Sequence, residues 1–248
     1  MGFPKLKNKH LFEALFTPDE FVKYKKWDKK NFPSKIIITY DKKTIEHFKR
    51  KFKGKYKIIK IAGNPLLLHK NIGIIYPFGI GSPFAATLLE ELIAMGGKEF
   101  INMGTAGGLV ENGIFLCNKA LRDEGTSHHY IADGIYSYPN KELTNKLKKY
   151  LIKSGLNFTV GPTWTIDAPY RETKKEVVHY RKKGILTVEM EASAIFAVAK
   201  LRGVKIASVF VVSDVLGNKK WNPQFHKLDL TKNLNKVLDV VIDCLLNF

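Results

Sequence analysis

Apolar and polar positions change rhythm repeatedly along this chain. Ile36-Ile37-Ile38-Thr39 is a short apolar run, and Lys57–Ile61, Ile72–Tyr76 and Phe100–Met103 share its strand-like pattern. Between and after these runs, Lys42–Phe52, Pro83–Met95, Lys141–Ser154, Lys174–Lys183 and Ala192–Arg202 read as helices. Gly203 closes the last of them and suits a left-handed C-cap. Val204–Val212 is a near-continuous run rich in β-branched residues, the mark of a strand buried on both faces. Upstream, a lysine-rich amphipathic lead from about Leu11 to Trp27 contains Thr17-Pro18-Asp19-Glu20, a helix-start signature. Strands alternating with helices predict a single α/β domain, three layers α/β/α around a mixed, mostly parallel sheet. We place that domain at residues 35–248, behind an N-terminal helical extension over 1–34. Sites in such sheets lie at the carboxyl ends of strands, where most of the polar motifs below fall.

At 248 residues the chain is long enough to bury a substantial core. No stretch approaches the roughly 20 apolar residues of a membrane span, and the lysine-rich start, Met1 to His10, has no apolar segment behind it as a secretory signal would. Cys117 and Cys244 are the only cysteines, read as ordinary thiols of a reducing cytoplasm. A net charge of +18 raises nucleic acid as a partner. Nearly all the basic residues are lysines, spread along the chain and interrupted by acids, whereas base and phosphate readers favour arginine. A lysine-rich surface is therefore the preferred reading, with a functional polyanion patch as the alternative.

Five constellations carry candidate chemistry. Pro77-Phe78-Gly79-Ile80-Gly81-Ser82-Pro83 puts two glycines after a strand, with Ser82 as N-cap and Pro83 in the first helical turn; it reads as an anion-friendly helix start or a plain tight turn. Met103-Gly104-Thr105-Ala106-Gly107-Gly108 ends the next strand and is either a ligand-binding backbone nest or a structural bend. Arg122 to Tyr130 is rich in donors; its adjacent His128 and His129 share no face and have no third ligand at a useful spacing, so we expect a hydrogen-bonding loop and no metal. In Val188-Glu189-Met190-Glu191 a carboxylate fits a pair of vicinal hydroxyls and methionine offers a soft face to a sugar; the plainer role for Glu191 is a first-turn acid on the helix dipole. Ser213-Asp214 closes the apolar strand, and Asp214 is an N-cap or a functional acid.

Taken together and in order, these motifs resemble the nucleoside phosphorylase/nucleosidase superfamily, which includes purine nucleoside phosphorylase, uridine phosphorylase and methylthioadenosine nucleosidase. The similarity runs from about Ile36 to the end. It implies that Glu191, with Glu189 and Met190, holds the ribose, and that Gly79, Gly81, Thr105, Ala106 and Gly107 line the phosphate or C1′ side. It further implies that Asp167, Pro169, Tyr170, Arg171 and Ser213 flank the base, and that Asp214 protonates the leaving purine. His10 would reach a neighbouring subunit's ribose. Departures accompany the match. The Gly-Asp-Pro-x-Arg phosphate loop of the phosphorylases is here Thr39-Tyr40-Asp41-Lys42-Lys43, leaving Lys42 and Lys43 as point charges. A second phosphate arginine is Asn102, as in the nucleosidases, and a basic residue that supports the acid is Gly217. The nucleosidases' water-activating glutamate has only Asp41 nearby.

The expected activity is phosphorolysis of a purine nucleoside to base and ribose 1-phosphate, with phosphate as co-substrate and no other cofactor. The alternatives are hydrolysis of the same bond and a non-catalytic nucleotide- or nucleic-acid-binding role. The resemblance also implies a cytoplasmic homo-oligomer, a dimer or trimer of dimers.

Overall fold

In the computed structural model, residues 3–61, 63–76, 79–132, 134–216, 221–223, 225 and 228–247 are described. Pro77, Phe78 and Gly217 lie outside them. The strands are β1 (Lys35–Thr39), β2 (Lys57–Ile61), β3 (Asn64–His69), β4 (Ile72–Ile75), β5 (Glu99–Gly108), β6 (Ile114–Asp123), β7 (Tyr136–Ser137), β8 (Thr159–Ile166), β9 (Thr187–Glu189), β10 (Lys205–Val215) and β11 (Asn222–Pro223). The α-helices are α1 (Pro18–Tyr24), α2 (Lys42–Lys51), α3 (Ser82–Met95), α4 (Lys141–Lys153), α5 (Lys174–Lys182), α6 (Ala192–Arg202) and α7 (Leu228–Leu246).

The strands form one mixed sheet whose longest pairings, β5 with β10 and β6 with β8, are parallel. Helices α2, α4 and α7 cover one face over a core of Ile37, Ile101, Met103, Val209 and Val241. Helices α3 and α6 cover the other, over Ile36, Ile38, Phe100, Ile206 and Phe210. Odd and even residues of β1, β5 and β10 thus feed opposite cores, as a strand's two-residue period requires. α1 starts with a full capping box between Thr17 and Glu20 and packs on α3, burying Val22.

The sheet also closes on itself. β5 pairs with β10, β10 with β6, β6 with β8, β8 with β9, and β9 returns antiparallel to β5. β1–β4–β3–β2 extends outward from β5. The closure depends on glycine. A Cβ on Gly107 would stand 2.8 Å from Leu216 Cδ1 and 2.9 Å from Val188 Cγ1, and one on Gly108 would stand 2.6 Å from the Glu111 carbonyl oxygen. Only hydrogen there lets β9 and β10 close over the end of β5.

Two local expectations change. The Gly-Thr segment is no nest: Gly104, Gly107 and Gly108 all lie within extended β5, and none has a positive φ. Ser82 does not cap α3; Gly81 is the N-cap at φ 97°, and the Ser82 hydroxyl donates to the Met190 carbonyl at 2.7 Å.

Candidate active site

The glutamate motif is built by the meeting of β9, α6 and the start of α3. Glu189, the last residue of β9, accepts the N–H groups of Glu191 (2.8 Å) and Ala192 (2.6 Å) on Oε2 and the Thr165 hydroxyl (2.5 Å) on Oε1. These are orphan donors of a helix start, so Glu189 caps α6. Its carboxylate is occupied from within the chain, which turns it from an open sugar ligand into the support of the residue two places on. Glu191 is left without a capping role. Its Oε1 accepts the Gly81 N–H at 2.7 Å, using one of about four lone-pair positions on the carboxylate. Met190, between them, is half-buried, and its Cε approaches Gly81.

Both carboxyls are buried, and burial pushes both up from the ordinary range. The Glu191 charge raises Glu189 further, and the donors at each pull back. Near neutral pH the pair therefore shares a proton more readily than two surface carboxylates would.

A network behind the pair fixes it. Thr165 Oγ1 accepts the Ser193 N–H at 3.0 Å, and Ser193 Oγ donates to Glu124 Oε1 at 2.7 Å. Glu124 in turn accepts the Thr126 and Ser127 N–H groups at 2.5 and 2.9 Å. Arg122 donates from Nε to Ser127 Oγ at 2.8 Å and from Nη1 to the Ala132 carbonyl at 2.7 Å. The 122–130 segment is thus a hydrogen-bonded staple anchored on buried Arg122, Glu124 and Ser127, in keeping with the loop reading. Among the described residues, no group of three or more His, Cys, Asp or Glu is placed to hold a metal ion.

On the other flank of β5, Asp214 sits beside Gly107 at a bulge in β10. Its Oδ1 accepts from Ser213 Oγ at 2.8 Å and its Oδ2 from Trp221 Nε1 at 2.8 Å. Glu172, half-buried between the 169–171 turn and α5, feels the Asp214 charge; burial first, then Asp214 and Glu176, push its carboxyl up to about 7. Glu172 and Trp221 escaped the sequence reading, and only Glu172's place directly after the base-flanking segment pointed to it. Between the flanks, Ala106 is buried, whereas Thr105 is exposed on an otherwise largely buried strand.

Other expected residues lie apart from this cluster. Asp167, Pro169, Tyr170 and Arg171 form an exposed rim; Tyr170 is fully exposed, and Asp167 Oδ2 accepts the Gly125 N–H at 2.8 Å. Lys42 and Lys43 are exposed on the first turn of α2, and Lys43 Nζ reaches Thr231 of α7 at 3.4 Å. Gly79 lies under the Phe84 ring. His10 belongs to a short turn, Lys9–Leu11, packed on the Ser127–His129 turn of the same chain, where Lys9 Nζ meets His129 Nδ1 at 2.9 Å.

A sequence profile described as the phosphorylase superfamily matches residues 28–246. The guanosine phosphorylase of Halorubrum lacusprofundi is 32% identical over 148 residues, 57% of this chain and 61% of that protein, so the match spans less than two thirds of that relative. A purine nucleoside phosphorylase, DeoD-type, of Buchnera aphidicola is 26% identical over 178 residues, 68% of this chain and 72% of that one. Among solved structures, AMP nucleosidase from Bacteroides thetaiotaomicron aligns with a TM-score of 0.76 at 21% identity, over 94% of this chain and 100% of that one, a likeness of fold.

Proposed function

This chain belongs to the phosphorylase superfamily, and from that premise we propose that it cleaves the N-glycosidic bond of a purine nucleoside by phosphorolysis. The observation that carries the reading is the placement of two acids on either side of β5: Glu191, just after β9, on the Gly81 N–H, and Asp214, on β10, beside Gly107. In this reading Glu191 takes the ribose hydroxyls and Met190 packs on the sugar. The C1′–N bond breaks with its electron pair going to the base, and a phosphate oxygen bonds C1′. The proton brought in by hydrogen phosphate ends on the base, giving free base and ribose 1-phosphate. The leaving purine meets Asp214 at N7. Each acid thereby meets charge that grows only as the bond breaks.

The guanosine and purine nucleoside phosphorylases among its relatives support both phosphate and purine. Hydrolysis is the second reading, favoured by one observation: Asn102, uncharged, is buried at the position where the resemblance puts a phosphate arginine. Incubation with inosine, guanosine, adenosine, uridine and methylthioadenosine, with and without phosphate, tests the reading. Ribose 1-phosphate formed from the purine nucleosides in proportion to phosphate is the expected result; free ribose formed without phosphate would replace it with hydrolysis.

We read the protein as cytoplasmic and homo-oligomeric. Buried, unpaired Cys117 and Cys244 are consistent with a reducing compartment, and exposed Leu11, Phe12, Leu15 and Phe16 offer apolar surface to a second copy. Among the described residues no helix is long and apolar enough to cross a membrane.

A further inference from the structure

Among the described residues the strand order runs from two-residue β11 at one end to β2 at the other, and β2 pairs with β3 alone. β2 is thus an open edge, 5 residues long, with a row of backbone N–H and C=O groups facing outward. The chain that leads into this edge and along it is cationic. Residues 49–60 hold seven Lys or Arg and no Asp or Glu. Lys49 and Lys51 are paired, with Glu46 and Asp239. Arg50, Lys53, Lys55, Lys57 and Lys60 are exposed and take part in no ion pair among the described residues. The turn before β2 is fixed from within. The Phe52 and His69 rings stack with centroids 3.9 Å apart, and His69 Nδ1 donates to the Lys55 carbonyl at 2.6 Å. Phe52 and Tyr56 pack against the core, so the outward side of the turn is left to the lysines.

Charge and backbone together select what fits this edge. Two β2 edges brought side by side would set lysine against lysine, which opposes pairing with a second copy. The same charges favour a strand of opposite sign. β2 begins Lys57-Ile58-Ile59-Lys60, and Ile58 is 55% exposed. A strand added beside it meets a cation, two apolar side chains and a second cation in turn, so its complement is acid, apolar, apolar, acid. A nucleic acid uses this surface less well. It has no peptide groups to complete the ladder, and neither aromatic ring of residues 49–60 is exposed for a base to stack on.

We propose that the β2 edge is a docking surface for an extended acidic segment of a partner protein. The segment adds to the sheet as a further strand, its carboxylates against Lys57 and Lys60 and its apolar residues beside Ile58 and Ile59. Arg50, Lys53 and Lys55 extend the positive field beyond the strand and draw in a negatively charged chain. Three strands, β1, β4 and β3, separate this edge from β5, so docking here is distinct from the chemistry at Glu191 and Asp214.

Anisotropy of a fluorescein-labelled peptide, Glu-Thr-Glu-Val-Val-Glu-Thr-Glu, titrated with the full chain measures docking, and amide hydrogen exchange of β2 locates it. Saturable binding that weakens as salt is raised, with slower exchange in β2, is the expected result. Replacing both valines by proline keeps the charge but removes the strand, and this peptide should bind about tenfold or more weaker. Lys57→Glu combined with Lys60→Glu should weaken the acidic peptide by about tenfold or more. The same variant should bind the peptide that has lysine for every glutamate, a swap that a misfolded chain would not produce. Equal binding of the proline peptide by wild type reduces the effect to bulk charge and overturns the proposal, even where the double variant fails to fold. Absence of saturable binding, or of protection in β2, also overturns it. Tighter binding of oligothymidylate than of the valine peptide overturns it in favour of a nucleic acid.

Discussion

Glu191 accepts the Gly81 N–H and is buried, which raises its pKa, while Glu189 spends its oxygens on the first turn of α6 and on Thr165. This division leads to unequal outcomes for substitutions at the two glutamates. Glu191→Gln keeps the acceptor for Gly81 and removes the charge; we expect melting close to wild type and a fall in kcat/KM of about a hundredfold or more, read by steady-state base release. Glu189→Ala uncovers three buried donors and should cost about 2 kcal/mol or more of stability in chemical denaturation, with activity lost alongside. The two glutamates around a methionine stood out in the sequence, and the structure brings both carboxylates to the junction of β9 and α6. Which of them holds the first turn of α6 was not legible, because that depends on where β9 stops and α6 begins. Tyr40 and Glu172 were harder still. Tyr40 becomes unusual only when its hydroxyl is found without a partner, and Glu172 only when Asp214 is folded against it.

At the scale of elements, local signals described helices well. Thr17, Asp41, Asn140 and Thr173 all cap as their types suggest, and Gly203 ends α6 in the left-handed conformation. β6 and β8 were less visible: they are interrupted by residues such as Lys119 and Pro162, and pair with each other across more than thirty intervening residues. α7 has Leu230, Leu234, Val237, Leu238, Val241 and Leu245 at helical spacing, a pattern that the absence of flanking polar motifs kept from notice. The Gly-Thr segment shows how a glycine signal misleads. Its glycines relieve contacts between packed strands rather than bend the chain, so Gly107→Ala should destabilise the domain by about 1–3 kcal/mol, measured by denaturant unfolding. Gly81→Ala acts differently. With φ at 97° the alanine is strained, and turning that backbone withdraws the N–H from Glu191. We expect a kinetic loss larger than the fall in melting temperature explains.

For the whole molecule, closure of β5, β10, β6, β8 and β9 into a ring brings residues from the middle and the end of the chain around the end of β5. Sequence order anticipated the alternating layers but not the ring, because no local pattern encodes the return of β9 to β5. Stability should carry the mark of the acids gathered there. Glu172's folded pKa is raised to about 7, so its contribution to stability is present at acid pH and is lost as pH rises through that value. Glu172→Gln should therefore gain in melting temperature over wild type between about pH 5 and about pH 8, and a constant difference across that window would show that the residue does not titrate as described. The most direct measurement for the molecule as a whole is base release from guanosine with phosphate, run on wild type and Glu191→Gln side by side. Free guanine and ribose 1-phosphate from wild type, with the variant slowed about a hundredfold or more while still folded, is the expected result. Release by the variant at the wild-type rate, or none from wild type with any nucleoside, would contradict it.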